Sequence, residues 1–502
     1  MNNARVVPLA EALSAPVVAL PLTVDEEGAH LEASLAQRVG DVDIPRTLDA
    51  EWCRRRGLSS VAGSSVVLST VSGALVVLVS LGSAESVASP EAWRQVGAQL
   101  APRARAAESD VAVLVPTEYS VDLELAGEAL VTGALLAAYD YKTPDADREL
   151  LVAPVGSPLP SVADHDAVSR GLQRAVVVAD ATNWAKRLID TPAGHATPKE
   201  LAKKFAHRLG SDPDTGVEIW TESTIREEGL GGLLAVGAGS AEPTRLVYAR
   251  YRPSDARAHV VLVGKGVTFD SGGLSLKPAE SMMAMKTDMS GAAIVMAALS
   301  MVARLRVPLR VTAIAALTEN LTGDRATKPG DVVTARNGTT IEILNTDAEG
   351  RVILADALSL AVEANPDVII DVATLTGAQR VALGDEVGGL FSSSDEVARQ
   401  LEEAGRDAGE SLWRLPLVES YARLLESDVA DLRNIAKGGG AGSITAALFL
   451  QRFVGTRPWA HLDIAGPGRS DQTRGYVTKG ATAFGARTLA RYLESLARQS
   501  VS

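Results

Sequence analysis

At 502 residues the chain can hold two or three domains, each with its own core, and its 46% hydrophobic and 22% charged residues are ordinary for a globular protein. The formal charge of −13 leaves an average surface that repels polyanions, so a nucleic-acid partner is not expected; the one basic cluster, Arg54-Arg55-Arg56, reads as a solvated loop. The only cysteine, Cys53, excludes an intramolecular disulfide and a cysteine metal cluster and fits a reducing, cytoplasmic setting.

In chain order, the N-terminus is weakly apolar but is interrupted by Pro8, Glu11 and Pro16, so no secretory signal is expected. Val66 to Gly82 approaches the length of a membrane span. Ser69, Thr70, Ser72, Gly73 and Ser80 dilute it, and two strands, Val66–Val71 and Ala74–Leu81, with a turn near Ser72-Gly73, explain it better than a span. A helix over Pro90–Ala107, a strand over Val111–Val115 and an amphipathic helix over Leu123–Tyr139 follow. The polar, proline-bearing stretch from Lys142 to Asp166 reads as the end of a first domain, 1–166. Residues 167–188 read as a linker helix to a second domain, 189–502, and Asp190 to Gly194 break that helix.

The second domain shows a denser α/β pattern. Strands are expected at Gly216–Trp220, Arg245–Tyr251, His259–Gly264, Leu309–Leu317, Thr340–Leu344, Val368–Val372 and Ala460–Ile464, several of them continuous apolar runs typical of strands covered on both faces. Helices are expected at Ala292–Arg304, Arg351–Ala364 and Thr445–Phe453, and no internal repeat or low-complexity tract is present. The expected fold is therefore α/β throughout: a smaller N-terminal domain, and a larger catalytic domain with a mixed central sheet flanked by helices.

In open α/β sheets ligands bind beyond the carboxyl ends of the strands. The loops expected there carry Lys265, Asp270 and Lys277, then Asp288, then Asp347, Glu349 and Arg351. Four buried carboxylates would be prohibitive together without cations, whereas two divalent ions would balance Asp270, Asp288, Asp347 and Glu349. The alternative is a set of separate, solvated loop acids and helix caps. The six histidines include no HExxH motif, and His259 and His461 lie in strand-like runs, where structural roles are favoured over ligation. A metallohydrolase here must use carboxylates, with an amine as an optional further ligand.

The segments GKGVTFDSGGLSLKP, MKTDMSGAA, NTDAEGRVILADAL and DVATLTGA resemble, in order and spacing, those of the leucyl (cytosol) aminopeptidases, over residues 180–490 firmly and the N-terminal third loosely. The resemblance implies two divalent ions, Mn or Zn. Asp270 and Glu349 would bridge them, Asp347 would complete one site, and Lys265 and Asp288 the other, with Lys265 neutral. It also implies Lys277 and Arg351 as the catalytic pair, with a bicarbonate on Arg351 shuttling the proton, and Met285, Asn345, Thr374, Leu375, Gly377 and Ala465 as substrate-binding positions. It further implies a homohexamer acting on peptides, with broad preference for apolar first residues.

Two departures stand out: Thr287 and Ser290 occupy positions where the family often has Tyr and Cys, and Asp190 replaces a frequent Asn. Lys437 to Ser443 superficially suggests a phosphate loop, but no lysine directly precedes the final Ser, so a flexible loop leading into the Thr445 helix is preferred. A DNA-binding regulator and a hydrolase of Cys-Gly dipeptides are the rival readings.

Overall fold

The computed structural model describes residues 1, 3–35, 38–39, 42–71, 73–143, 148–156 and 159–499. The chain divides into two compact units, Met1–Asn183 with Gln472–Lys479, and Trp184–Asp471 with Gly480–Ser502.

The first unit is built on β1 (Asn3–Val6), β2 (Val17–Val24), β3 (Gly28–His30), β4 (Thr47–Asp49), β5 (Ser65–Ser69), β6 (Leu75–Ser80), β7 (Val111–Pro116) and β8 (Glu149–Val155). They form one sheet in the order β1-β8-β7-β2-β3-β4, with β6 also on β2 and β5 on β6. The pairs β1/β8, β8/β7, β7/β2 and β2/β6 are parallel; the hairpin pairs β2/β3, β3/β4 and β5/β6 are antiparallel. The apolar run from Val66 is thus the expected strand pair; Gly73, at φ 89°, supplies a left-handed turn residue, while Ser72 lies outside the described residues. No helix among the described residues is long and apolar enough to cross a membrane.

Three expectations for this unit need correction. The three arginines close the helix α1 (Ala50–Arg56), where cations meet the negative end of the dipole, and do not form a loop. The single helix expected over Pro90–Ala107 is two, α2 (Pro90–Ala98) and α3 (Leu100–Ala107). The ring of Pro102 would clash with the carbonyl of Ala98, the last residue of α2. The polar stretch from Lys142 conceals β8, buried from Leu150 to Val155 despite Pro154. Next in the chain come α4 (Leu123–Ala137) and α5 (Val162–Asp190), which begins five residues before the helix expected from 167. Trp93, Leu130, Val77 and Val113 share one core cluster, which the returning segment completes with Tyr476, whose hydroxyl donates to Glu91 at 2.9 Å.

In the second unit β9 (Thr215–Trp220), β10 (Arg245–Tyr251), β11 (His259–Asp270), β12 (Arg310–Asn320), β15 (Val368–Ala373), β16 (Gly388–Ser392), β17 (Leu412–Arg414) and β19 (Trp459–Asp463) make the central sheet. Its order is β9-β10-β12-β11-β15-β19-β16-β17, parallel from β12 to β19 and antiparallel at β9/β10, β10/β12 and β19/β16, so the sheet is mixed. A small separate sheet pairs β13 (Val332–Thr334), β14 (Thr340–Glu342) and β18 (Leu432–Arg433). The strand expected at Thr340–Leu344 therefore belongs to this small sheet, and it stops at Glu342, beyond which the Asp331 carbonyl and the Asn434 side chain take up the amides of Ile343 and Leu344.

Helices α6 (Ser290–Arg304) and α7 (Glu349–Glu363) cover opposite faces of β11, whose residues are nearly all buried. On one face a Cβ at Gly264 would lie 2.5 Å from the Gly291 carbonyl, so only glycine lets the first turn of α6 approach. On the other, Val261 and Val263 pack with Ile353 and Leu354 of α7. The chain leaves β11 for β12 on one side and then crosses to β15 on the other. This reversal of strand order is where α/β sheets open a crevice.

Candidate metal centre

Strand β11 runs six residues past its expected end, so Lys265 lies within it and Asp270 is its last residue; neither stands in a loop. Five positions apart, these two side chains would point to opposite faces of a regular strand. The register with β12 shifts between Val267 and Phe269, and this extra residue returns Asp270 to the face of Lys265. Asp288 precedes α6, and Glu349 and Arg351 occupy the first turn of α7, with Asp347 just before it.

Within this crevice each lysine lies between two acids. Lys265 Nζ is 2.8 Å from Asp288 Oδ2 and 2.9 Å from Glu349 Oε1, and it donates to the Thr374 carbonyl at 3.0 Å. Lys277 Nζ is 2.8 Å from Asp270 Oδ2 and also pairs with Asp347. Oxygens of Asp270, Asp347 and Glu349 lie within 4.8 Å of one another. Four carboxylates against two ammonium groups leave excess negative charge in a buried place. Burial, reinforced by Asp270, pushes Glu349 up to about 8 and Asp288 up to about 6, and burial also raises Asp347. Burial disfavours both ammonium ions, but the acids outweigh it and both lysines are raised, Lys265 by Asp288 and Glu349, Lys277 by Asp270.

The donor set fits divalent cations. Asp288 Oδ2, Asp347 Oδ1 and Glu349 Oε1 are buried, and among the described residues they have only ion-pair neighbours and no hydrogen bond of normal geometry. Hard oxygens with unspent lone pairs, in a net-negative crevice, suit Mn, Mg or Zn. The alternative of separate solvated acids does not describe this crevice, where Asp270, Asp288 and Glu349 are at most 4% exposed.

Residues not singled out from the sequence hold the cluster in shape. Asn320, ending β12, donates to Asp270 Oδ1 at 2.8 Å and to the Thr346 carbonyl at 2.9 Å, joining the two halves of the site. Ser275 and Thr346 exchange main-chain and hydroxyl hydrogen bonds at 2.8 and 3.1 Å, fastening the Lys277 loop to the same turn. A polar residue closing the apolar run of β12 was the available signal for Asn320.

Among the expected substrate-binding positions, Asn345 caps the Asp347 amide at 2.8 Å and the Thr374 hydroxyl donates to Asp288 at 2.7 Å. The Leu375 and Ala465 amides both donate to Asp463 Oδ1, at 3.1 and 3.2 Å, which brings these two segments together. Gly377 begins α8 (Gly377–Leu383) and is exposed, and Met285 is half-buried on the short turn before Asp288. Arg351 is buried, donates to the Asn434 carbonyl at 2.8 Å, and has an Nε with no partner among the described residues; burial pulls its pKa down to about 10.

Two of the histidines, His259 and His461, are tied into strands of the central sheet. His259 contacts Thr312 at 2.9 Å and accepts from Arg310 at 2.8 Å, while His461 pairs with Asp371 at 2.5 Å. Asp371 also accepts from the Trp459 indole at 2.7 Å. The Lys437 loop leads into α9 (Gly442–Gln451), whose Ser443 bonds Thr376 at 2.8 Å.

Comparison with known proteins places this geometry. The catalytic-domain model of the cytosol aminopeptidase family matches residues 183–490, and the N-terminal-domain model of the same family matches residues 41–144. A probable cytosol aminopeptidase of Roseiflexus castenholzii is 43% identical over 427 residues, covering 83% of this chain and 86% of that protein. One from Chlorobaculum tepidum is 48% identical over 345 residues, covering 68% and 67%. Among solved structures, the bottromycin maturation enzyme BotP superposes with a TM-score of 0.81 at 37% identity, over 97% of this chain and 100% of that one. The same enzyme in complex with Mn gives 0.81 at 38%, over 96% and 100%.

Proposed function

The chain belongs to the cytosol aminopeptidase family, whose members are metal-dependent hydrolases of peptides, and on that premise we propose that it is a two-metal exopeptidase removing leucine and other mainly apolar residues from peptide N-termini. The observation that carries this reading is the cluster of buried Asp270, Asp288 and Glu349 with half-buried Asp347, which holds more negative charge than Lys265 and Lys277 neutralise. Asp270 and Glu349 would bridge two Mn or Zn ions, Asp347 would serve one, and Lys265 and Asp288 the other; lysine is a ligand only when neutral, so loading releases its proton. Such ions supply Lewis acidity and an acidified water.

The remaining work falls to side chains. Lys277 holds a fixed positive charge where the oxyanion of the scissile carbonyl develops. The substrate's free amine lies on the Lys265 and Asp288 side, which limits cleavage to the first residue. Met285, Thr374, Leu375, Gly377 and Ala465 line the pocket for that residue, and Asn345 borders it. Arg351, whose Nε has no partner among the described residues, would hold a small anion such as bicarbonate, which would supply a proton-transfer group beside the centre. A cytoplasmic homohexamer belongs to the same reading on kinship alone. The likeness to a bottromycin maturation enzyme makes a specialised peptide the second reading, which a substrate panel separates.

The test is hydrolysis of leucine p-nitroanilide with added Mn²⁺ or Zn²⁺, comparing wild type, Asp347→Ala and an N-acetylated substrate. Activity in wild type alone, on the free amine alone, supports the reading; activity that survives either change sinks it. Light scattering tests the hexamer, which a clean monomer would contradict.

A further inference from the structure

Asn434 is fully buried and follows β18, far in sequence from every segment that carries a charged member of the centre. Strand β18 pairs with β14 in parallel through Ile341 with Leu432 and Glu342 with Arg433, and the Asn434 amide closes that ladder by donating to the Glu342 carbonyl at 2.9 Å. Beyond Glu342 there is no strand left to pair, yet the chain must still reach Asp347 in a fixed path.

The side chain of Asn434 takes over from the ladder. Its Oδ1 accepts from the Leu344 and Asn345 amides at 2.9 and 3.3 Å, and its Nδ2 donates to the Asn345 and Ala348 carbonyls at 2.6 and 3.4 Å. A primary amide offers two acceptor and two donor sites, and all four are spent on the main chain of residues 344–348. The Asn434 carbonyl then accepts from Arg351 Nη1 at 2.8 Å. One buried residue thus governs the backbone entering the Asn345–Arg351 turn and the guanidinium leaving it.

We propose that Asn434 is a positioning residue: through the 344–348 backbone and the Arg351 guanidinium it sets the places of Asp347, Glu349 and Arg351, and so governs both divalent-ion affinity and turnover. This inference rests on the metallopeptidase reading of the centre. It assigns to Asn434 no contact with substrate. Of the isosteres, Asp keeps the shape and the accepting oxygen but sets a second acceptor against the Asn345 and Ala348 carbonyls, so it cannot replace the amide.

Three variants of the full chain test it: Asn434→Ala, Asn434→Asp and, as a control on the same ladder, Asp431→Ala. Asp431 is exposed and accepts from the Thr340 amide and hydroxyl at 2.8 and 2.6 Å, so it fastens β14 without reaching the turn. Mn²⁺ affinity is read by calorimetry, kcat and KM on a leucine peptide, and Tm by thermal unfolding. Both Asn434 variants are expected to lose Mn²⁺ affinity or kcat by about 10–100-fold with KM little changed, the range for residues that orient metal ligands. Asp431→Ala is expected to lower Tm and leave Mn²⁺ affinity and kcat alone. Should Asn434→Ala fail to fold, Asn434→Asp alone decides. Asn434 variants that lower Tm yet bind Mn²⁺ and turn over like wild type would overturn the proposal. A wild type that binds Mn²⁺ but frees no leucine would instead remove the aminopeptidase reading, and the calorimetry would still judge Asn434.

Discussion

Replacing Gly350 with alanine puts the geometry of the centre to a quantitative test. A methyl there would stand 2.6, 2.7 and 2.8 Å from Cε, Nζ and Cδ of Lys265. Carbon atoms pack at about 3.5–4.0 Å, so the lysine must retreat by roughly 1 Å. It is not free to swing aside, because Asp288, Glu349 and the Thr374 carbonyl hold its amine at 2.8, 2.9 and 3.0 Å. Glycine to alanine inside a helix normally stabilises by about 0.5–1 kcal/mol, and overpacking a filled site costs about 1–3 kcal/mol. The balance is a destabilisation of about 0–2.5 kcal/mol, a modest fall in Tm. A displacement of about 1 Å at a reacting centre, in contrast, costs on the order of 10²-fold in turnover. Gly350→Ala should therefore remain folded and lose most of its kcat on leucine p-nitroanilide with Mn²⁺. Activity within twofold of wild type, with unchanged Mn²⁺ affinity, would refute the placement of Lys265.

Further outcomes follow from single groups. Lys277→Met removes the cation from the oxyanion position and should lower kcat by about 10²–10³-fold with a smaller change in KM, measured by steady-state kinetics; an unaltered kcat would exclude that role. His259 is pulled down to about 4 by burial and then by Arg310, whose guanidinium donates to its Nδ1. The unfolded imidazole binds its proton near pH 6.5, so between pH 6.5 and 4 the unfolded state holds more protons and stability falls as pH falls, by about 1–3 kcal/mol. Thermal unfolding at pH 7 and pH 4.5 should show a larger drop for wild type than for His259→Gln, and equal drops would contradict the assignment.

The charges at the strand ends were conspicuous, but residue chemistry alone left separate solvated acids open, and it was the family resemblance that joined them; in the structure Lys265, Asp270, Lys277, Asp288, Asp347 and Glu349 do meet. The exact ends of strands were less so. A lysine reads as the close of an apolar strand, and β11 was expected to stop at Gly264. It continues to Asp270 because the Lys265 charge is matched by Asp288 and Glu349, distant in sequence. Nothing in Val267-Thr268-Phe269 announces the extra residue that turns Asp270 inward. Pro154 disguised β8, and Pro102 split a helix whose apolar spacing runs straight through it. Asn434 was invisible for another reason: its partners are main-chain groups, which leave no pattern in side-chain types.

The return of Gln472–Lys479 to the first unit bears on how the protein is made. Domains commonly fold in turn as they leave the ribosome, the N-terminal one first. Here the N-terminal unit lacks Tyr476, a buried member of its core, until synthesis has passed from Asn183 through the whole of the second unit's main segment, Trp184–Asp471. A ribosome-bound chain would carry that unit with an unfilled seat beside Glu91, and a fragment cut after Asn183 would keep the same vacancy permanently.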